Sequence, residues 1–180
     1  IVLGLIQFIT AKNDLTERYE SIENDSDEII RFLKANGFTD EEITTSPPGI
    51  KDKLALGYDK SKIEFRYHAT RTITVYSRRI EPVRSTMNKM AALGKKGILL
   101  TGGDYQTTTE YLFTRLNEIK PEMVEEATTK DRAVAKKFAK DSDSKLGKIK
   151  KARQGQFSIN DRDKNNPHIK KVRVVSTIEY

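Results

Sequence analysis

The sequence offers few residues whose type and spacing could carry chemistry. Thr101–Asp104, with two glycines between its ends, comes closest to a phosphate-binding loop, but it lacks both the three glycines of a dinucleotide fingerprint and the Gly-Lys-Ser/Thr of a P-loop. The segment also lies between two predicted strands, which favours a turn. The acidic pairs Asp141/Asp143 and Asp161/Asp163 could bind a hard cation or act in acid–base catalysis. Both pairs lie in polar turns beside Lys and Arg, which favours solvated loop charges.

Nucleophiles and metal ligands are equally sparse. The chain has no cysteine, which excludes disulfides, thiolate catalysis and zinc ribbons. His68 and His168 have no ligand-like spacing around them, and no serine lies in a Gly-x-Ser-x-Gly elbow. Gln154–Ser158 is polar within a strand, and Gly155 there favours a bulge or close backbone contact, with ligand contact as the alternative. We therefore expect no catalytic, cofactor-binding or metal-binding residue, no small-molecule substrate and no enzymatic activity.

A basic region near the C-terminal end is the candidate interaction surface. Its cations, on two predicted neighbouring strands, are Lys148, Lys150, Lys151, Arg153, Lys170, Lys171 and Arg173. Clustered cations bind nucleic acid by displacing counterions. However, only Phe157 and Tyr180 are at hand to stack on bases, so nucleic acid is the weaker interpretation. A solvated or subunit-facing surface is favoured, and an anionic membrane or an acidic partner would use the same charges.

The net charge is concentrated in the same region. Residues 130–180 carry fifteen Lys and Arg against six Asp and Glu, whereas the other residues carry eighteen against twenty. The whole formal net charge of +7 therefore comes from the C-terminal end. At 180 residues the chain is long enough to bury a real core, and it fits a single domain, 1–180, with sub-lobes 1–78 and 79–180.

The elements that must position these residues are predicted from hydrophobic periodicity. Ile1–Thr10 is a short apolar strand, and a long helix follows, with Asn13 or Asp14 as its N-cap and Gly37 as a natural residue after its end. Ile43–Leu56 is extended but contains two adjacent prolines, which predicts an edge or bulged strand. Lys62–Ser77 alternates apolar and polar residues, which is typical of a strand with one buried face.

The second half of the chain repeats the alternation of helices and hairpins. A short helix ends near Gly94, two strands follow, and Pro121 is placed in the first turn of a third helix. The apolar stripe of that helix is Val124, Ala127, Ala135 and Phe138. Lys148–Asn160 and Lys170–Tyr180 then form a hairpin. One strand followed by three α–β–β units predicts an α+β fold with antiparallel sheets and helices packed on one face.

Several motifs of the C-terminal third are specific in combination. They are Asn117–Met123, Glu126–Thr128, Lys137–Ser142, Leu146–Ile149, Ala152–Ile159 and Lys171–Val175. Read together, they resemble the SIMPL domain family, bacterial proteins of largely unknown function. Weaker matches upstream extend the resemblance over nearly the whole chain.

The resemblance implies a cell-envelope location, in the periplasm or anchored in the membrane with the domain outside the cytoplasm. Ile1–Ile9 is too short to cross a bilayer, and a chain that begins without Met is expected to be a processed product. Some family members are linked to oxidative-stress defence, and in a chain without cysteine such a role would be indirect. The family has no established catalytic residues to carry over.

The sequence thus leads to two expectations about function. The first is a non-enzymatic envelope protein that forms a homo-oligomer and has an envelope protein or an anionic surface as its partner. The alternative is a binder of nucleic acid or another anionic surface through the basic C-terminal hairpin.

Overall fold

The chain folds into two compact units. The computed structural model describes residues 1–101 and 109–180. Unit 1 is Ile1–Leu112 and unit 2 is Phe113–Tyr180, so the division lies further along the chain than the sub-lobe boundary predicted after residue 78. The predicted turn at Gly102–Asp104 lies outside the described residues. Helices combine with antiparallel sheets, which confirms the predicted α+β fold.

Unit 1 is built around two long antiparallel strands, β1 (Val2–Lys12) and β4 (Tyr67–Ser77), which pair along their whole length. The flanking strands are β2 (Ile43–Thr45) and β3 (Gly49–Asp52), which pair with β4, and β5 (Leu99–Thr101) and β6 (Glu110–Tyr111), which pair with β1. The two adjacent prolines lie between β2 and β3, where their missing N–H groups cost no ladder hydrogen bond. The predicted edge position of this segment is confirmed.

The first helix of unit 1, α1 (Leu15–Ala35), has well-defined ends. Asp14 caps its start, and the carboxylate of Asp14 accepts the N–H of Thr16 at 2.8 Å. At the other end Gly37 takes a φ of +89°, a conformation that glycine adopts without a steric penalty. Both predicted boundary signals are therefore confirmed.

The core of unit 1 lies on one face of its sheet. Alternate residues of β1 and β4 are buried there against α1, α2 (Ile80–Lys89) and α3 (Ala91–Lys95). The buried apolar residues are Val2, Ile6, Phe8, Ile22, Ile29, Leu33, Phe38, Ala69, Ile73, Val75, Val83, Leu93 and Ile98. All of them precede Leu112, so this core belongs to unit 1 alone.

Unit 2 begins with a long helix, α4 (Leu116–Asp141). Because α4 starts at Leu116, Pro121 lies inside the helix, and its predicted first-turn position is wrong. A proline there cannot donate to the carbonyl of Asn117, so one backbone bond of the helix is missing. In the part of the chain that the structure describes, no helix has the length and apolar character needed to cross a bilayer.

A two-stranded ribbon completes unit 2, and each of its two long strands is interrupted once. The first long strand consists of β7 (Lys151–Gln154) and β8 (Ser158–Asp161), and the second consists of β9 (Lys170–Arg173) and β10 (Ser176–Glu179). β7 pairs with β10 and β8 pairs with β9, both antiparallel. The predicted hairpin is therefore present, with an interruption in the middle of each long strand.

Candidate interaction surface

The interruption of the ribbon is a close contact between two backbones. The N–H of Gly155 donates to the carbonyl of Val175 at 2.8 Å. A side chain at Gly155 would place its Cβ 3.0 Å from that same oxygen, a contact so tight that the neighbouring backbone would have to shift by a few tenths of an ångström. The position favours glycine for this steric reason, in agreement with the close backbone contact expected from the sequence.

The two faces of the ribbon differ in exposure on β9 and β10, whereas every residue of β7 and β8 is exposed. In Lys171–Tyr180 the even-numbered residues are half-buried and the odd-numbered residues are exposed. The half-buried side packs against α4, where Val172, Val174 and Ser176 line a groove with residues of Met123–Asp131; the exposed residues Arg173 and Val175 border the same groove. Because successive strand residues point to opposite faces, the exposed side chains share a single surface, which we call the open ribbon face.

Four of the seven predicted cations lie on the open ribbon face. In the β7–β10 register Arg153 is opposite Thr177, and Lys151 is opposite Glu179, both odd-numbered residues of β10. The four cations are Lys151, Arg153, Lys171 and Arg173. All four are exposed, and none forms an ion pair within the described part of the chain.

The other three predicted cations are placed differently. Lys170 forms an ion pair with Asp161, and its side chain is only 14% exposed. The ammonium of Lys150 donates to the carbonyl of Tyr180 at 2.9 Å. Lys148 is exposed and precedes β7. The structure thus brings together a smaller basic surface than the full set of seven.

The aromatic residues of the ribbon are already engaged within unit 2. Phe157 is half-buried, and the ammonium of Lys120 lies 5.7 Å from the centroid of its ring. Tyr180 is half-buried and its hydroxyl oxygen is buried. Both rings are thus partly covered within unit 2, which reduces the surface available for stacking on a base.

The apolar stripe of α4 is covered only in part. Val124, Ala127 and Ala135 are half-buried, as the predicted stripe requires. Phe138, the fourth member, is 69% exposed, and Val134 one turn earlier is 53% exposed. At about 1.5 Å per residue, α4 is roughly 39 Å long. The groove between α4 and the ribbon is lined by residues of Met123–Asp131, earlier in the helix than Val134 and Phe138.

Unit 2 has no core of its own. All of residues 113–180 are described, and every one of them retains at least partial exposure. Unit 1, by contrast, buries thirteen apolar residues. The strands of unit 2 form only a two-stranded ribbon, and the single helix α4 packs against it.

A comparison of the sequence with protein-family models gives a match over most of the chain. The model named SIMPL, described as a protein of unknown function (DUF541), matches residues 5–175. The chain belongs to the SIMPL family. The match extends over most of the 180 residues and confirms the resemblance drawn from the C-terminal motifs. No curated protein matches the chain.

In this SIMPL domain the acidic pair Asp161/Asp163 has a structural role at the tip of the ribbon. Asp161 holds Lys170, while one carboxylate oxygen of Asp163 accepts the N–H of Asn165 at 3.0 Å. The neighbouring Arg162 guanidinium is the main reason that the pKa of Asp163 is lowered to about 2. A carboxylate held ionised in a turn in this way is a poor general acid near neutral pH.

Arg71, the charge that interrupts the apolar face of β4, is also engaged structurally. Its guanidinium donates to Glu23 at 2.7 Å, to the hydroxyl of Ser26 at 2.9 Å and to the carbonyl of Ser46 at 2.8 Å. These groups belong to α1 and to the segment between β2 and β3. The hydrogen bonds of Arg71 therefore connect α1 and the segment between β2 and β3 to the central strand β4.

Arg18 is a buried cation that sequence reasoning missed. It is fully buried, donates to the Thr10 hydroxyl and the Tyr67 carbonyl, and burial lowers the pKa of its guanidinium. The available signal was the spacing Arg18–Ile22–Ser26–Ile29–Leu33, which is the true buried stripe of α1. A search for apolar residues alone passes over Arg18, because it is a charged member of this stripe, while the apolar Leu15 and Tyr19 beside it are exposed.

His68 lies near this buried cation. Its Nδ1 is buried and makes no hydrogen bond among the described residues. Burial, followed by the charges of Lys53 and Arg18, lowers the pKa of the imidazole. A neutral histidine beside two cations lacks the carboxylate that orients a catalytic imidazole.

Unit 1 has an open groove of about 380 Å³, whose lining includes Glu42, Ser77 and Arg79, and a much smaller apolar cavity. The apolar cavity between β1, β4 and α2 has a volume of about 20 Å³, which is close to that of one water molecule. No group of three or more His, Cys, Asp or Glu residues is placed to hold a metal ion in the described ranges.

Proposed function

We propose that this SIMPL protein is a non-catalytic assembly module of the cell envelope, and that it self-associates through unit 2. The observation that carries the proposal is the absence of any fully buried residue in 113–180. Surface that a unit does not bury internally remains for a partner, and exposed apolar patches are typical of protein interfaces. The partner proposed here is a second copy of the chain.

The uncovered end of the α4 stripe supports this proposal. Phe138 and Val134 are one helical turn apart and expose more than half of their surfaces. Burying two such side chains is worth about 2 kcal/mol each, which is enough to make them anchors of an interface.

The open edges of the ribbon also support the proposed self-association. Among the described residues, each of β7, β8, β9 and β10 pairs with one strand only, so each has a second side with unpaired backbone groups. Open edges of this kind pair readily with strands of another chain. A symmetric dimer or ring could use both the edges and the helix stripe.

The non-catalytic part of the proposal rests on how the chemistry-bearing residues are used. Arg71, Asp161 and Asp163 are engaged in structural contacts, and His68 lies beside cations. The envelope location and an indirect role in oxidative-stress defence rest on the family resemblance.

Light scattering coupled to size-exclusion chromatography tests the self-association. We expect a mass that is a multiple of 20.5 kDa and that falls to the monomer value in Phe138→Glu. Leu56→Glu is the matched control, because Leu56 is 61% exposed but belongs to unit 1. A strict monomer at high protein concentration, or equal dissociation by both substitutions, would overturn the proposal.

A further inference from the structure

The open ribbon face is a positive surface on a molecule whose other unit is neutral. Unit 2 carries seventeen Lys and Arg against ten Asp and Glu, whereas unit 1 carries sixteen of each kind. Cations at alternate positions of one strand, such as Lys151 and Arg153, are about 7 Å apart. This spacing is shorter than the Debye length of about 8 Å at physiological salt, so their potentials add.

The remaining residues of this face are uncharged with one exception. Ser158, Asn160 and Thr177 lie beside the cations in the strand register, and Glu179 is the acidic residue. Near the middle, at the interruption of the ribbon, Val175 is 50% exposed. The surface therefore combines cations and hydroxyl or amide groups around an apolar side chain.

This combination fits an anionic lipid surface better than a nucleic acid. The cations meet lipid phosphates, and an apolar side chain among them enters the boundary between headgroups and acyl chains. Val175 would gain nothing from a phosphodiester backbone. Phe157 and Tyr180, the rings that could stack on bases, are half-buried in unit 2.

We infer that the open ribbon face docks on anionic phospholipid bilayers, with Lys151, Arg153, Lys171 and Arg173 among the headgroups and Val175 directed to the acyl boundary. The inference rests on the proposed envelope function and names the surface that the assembly binds. Self-association would place several such faces on one particle, which raises the overall affinity through multivalency.

Co-sedimentation of the full chain with vesicles tests the inference. The two probes are phosphatidylcholine vesicles with and without phosphatidylglycerol, each at low and high salt. We expect binding only to the anionic vesicles and a decrease of binding with salt. A short DNA duplex is added as a competitor in a parallel series.

Substitutions distinguish this face from the general charge of unit 2. Each lost cation is expected to lower the vesicle partition coefficient roughly fivefold, so Arg153→Gln with Arg173→Gln should lower it roughly 25-fold. The control is Lys136→Gln with Lys137→Gln, which removes the same charge from exposed positions on α4. Circular dichroism establishes that each variant retains its fold.

The outcomes are separable from those of the self-association test. A loss of binding in the Arg153/Arg173 variant, with binding retained in the Lys136/Lys137 variant, supports the inference. Equal losses in both variants, binding to neutral vesicles, no binding to anionic vesicles, or displacement from vesicles by the DNA duplex would each overturn it. Light scattering on the same samples reports the oligomeric state, so failed docking and failed assembly are told apart.

Discussion

The guanidinium of Arg18 occupies the interior of unit 1, where a hydrocarbon side chain would be usual. It donates hydrogen bonds to the Thr10 hydroxyl and the Tyr67 carbonyl, at the ends of the two central strands. Arg18→Ala would leave both groups without their donor and would open a cavity. We expect it to lower the free energy of unfolding by about 3 kcal/mol, measured by urea denaturation.

Two further variants make the Arg18 prediction specific. Arg18→Met fills most of the volume without the hydrogen bonds and should recover part of the loss. Arg31→Ala removes an exposed arginine that pairs with Glu28 at 3.0 Å, and it should change stability by less than about 0.5 kcal/mol. If Arg18→Ala were as mild as Arg31→Ala, the buried hydrogen bonds would have no structural importance.

The environment of His68 predicts a pH dependence of stability. Its pKa in the folded state is lowered by burial and by the charges of Lys53 and Arg18. The unfolded chain therefore binds more protons than the folded chain once the pH falls below about 6.5. The free energy of unfolding should therefore decrease as the pH falls from about 6.5 to the folded-state pKa of His68. Well above pH 6.5, His68 should not affect the free energy of unfolding.

The comparison of wild type with His68→Gln isolates this effect from other titrating groups. Urea unfolding at about pH 7.5 and pH 5.5 compares the stability above the ordinary histidine pKa with the stability below it. We expect the wild type to lose more stability than the variant over this interval. Identical losses would mean that His68 titrates normally in the folded protein.

At the scale of elements, Gly155 controls the interruption of the ribbon. Its backbone approaches the Val175 carbonyl so closely that a Cβ would lie 3.0 Å from the oxygen. Gly155→Val should therefore destabilise the ribbon by about 1–3 kcal/mol. Hydrogen exchange of the β7 and β10 amides measures this change locally.

Gly147→Ala is the control for the ribbon prediction. An added Cβ at Gly147 would meet its nearest neighbour, the carbonyl carbon of Tyr180, at 3.9 Å, an ordinary contact distance. This substitution should be neutral or slightly stabilising, because alanine restricts the unfolded chain more than glycine does. Similar protection of the β7 amides in both variants would contradict the steric role assigned to Gly155.

Element boundaries were predictable where a local residue determines them. Asp14 and Gly37 delimit α1 through capping and backbone conformation, which act within one helical turn. Pro121 misled the prediction because proline is common in a first turn, yet α4 continues upstream of it and tolerates the missing bond. The partial cover of α4 was not predictable, because hydrophobic spacing places Phe138 on the stripe but does not reveal where the ribbon contact ends.

The candidate surface was predictable in composition but not in arrangement. The sequence identifies seven cations on two neighbouring strands. Their division between faces depends on the strand register, and the register shifts by one residue between the β7–β10 and β8–β9 pairs. The shift moves this face from the odd positions of β7 to the even positions of β8. Lys170 and Lys171 have different surroundings for a simpler reason, because successive residues of β9 point to opposite faces.

At the scale of the whole molecule, the two units differ in both core and charge. Unit 1 contains the thirteen buried apolar residues and equal numbers of acidic and basic side chains. Unit 2 contains no fully buried residue and carries the entire net charge of +7. The stability of the chain should therefore reside in unit 1, while unit 2 supplies the surface available to partners.

This division predicts how the separated units behave. Residues 1–112 should fold alone and unfold cooperatively in urea, because they retain the complete core. Residues 113–180 should show partial helicity without a cooperative transition at low concentration, since a helix and a ribbon without a core cannot offset the entropy of ordering. Raising their concentration should restore a transition if association provides the missing burial. A sharp, concentration-independent transition of 113–180 would show that unit 2 is stable by itself, and the main argument for self-association would then fail.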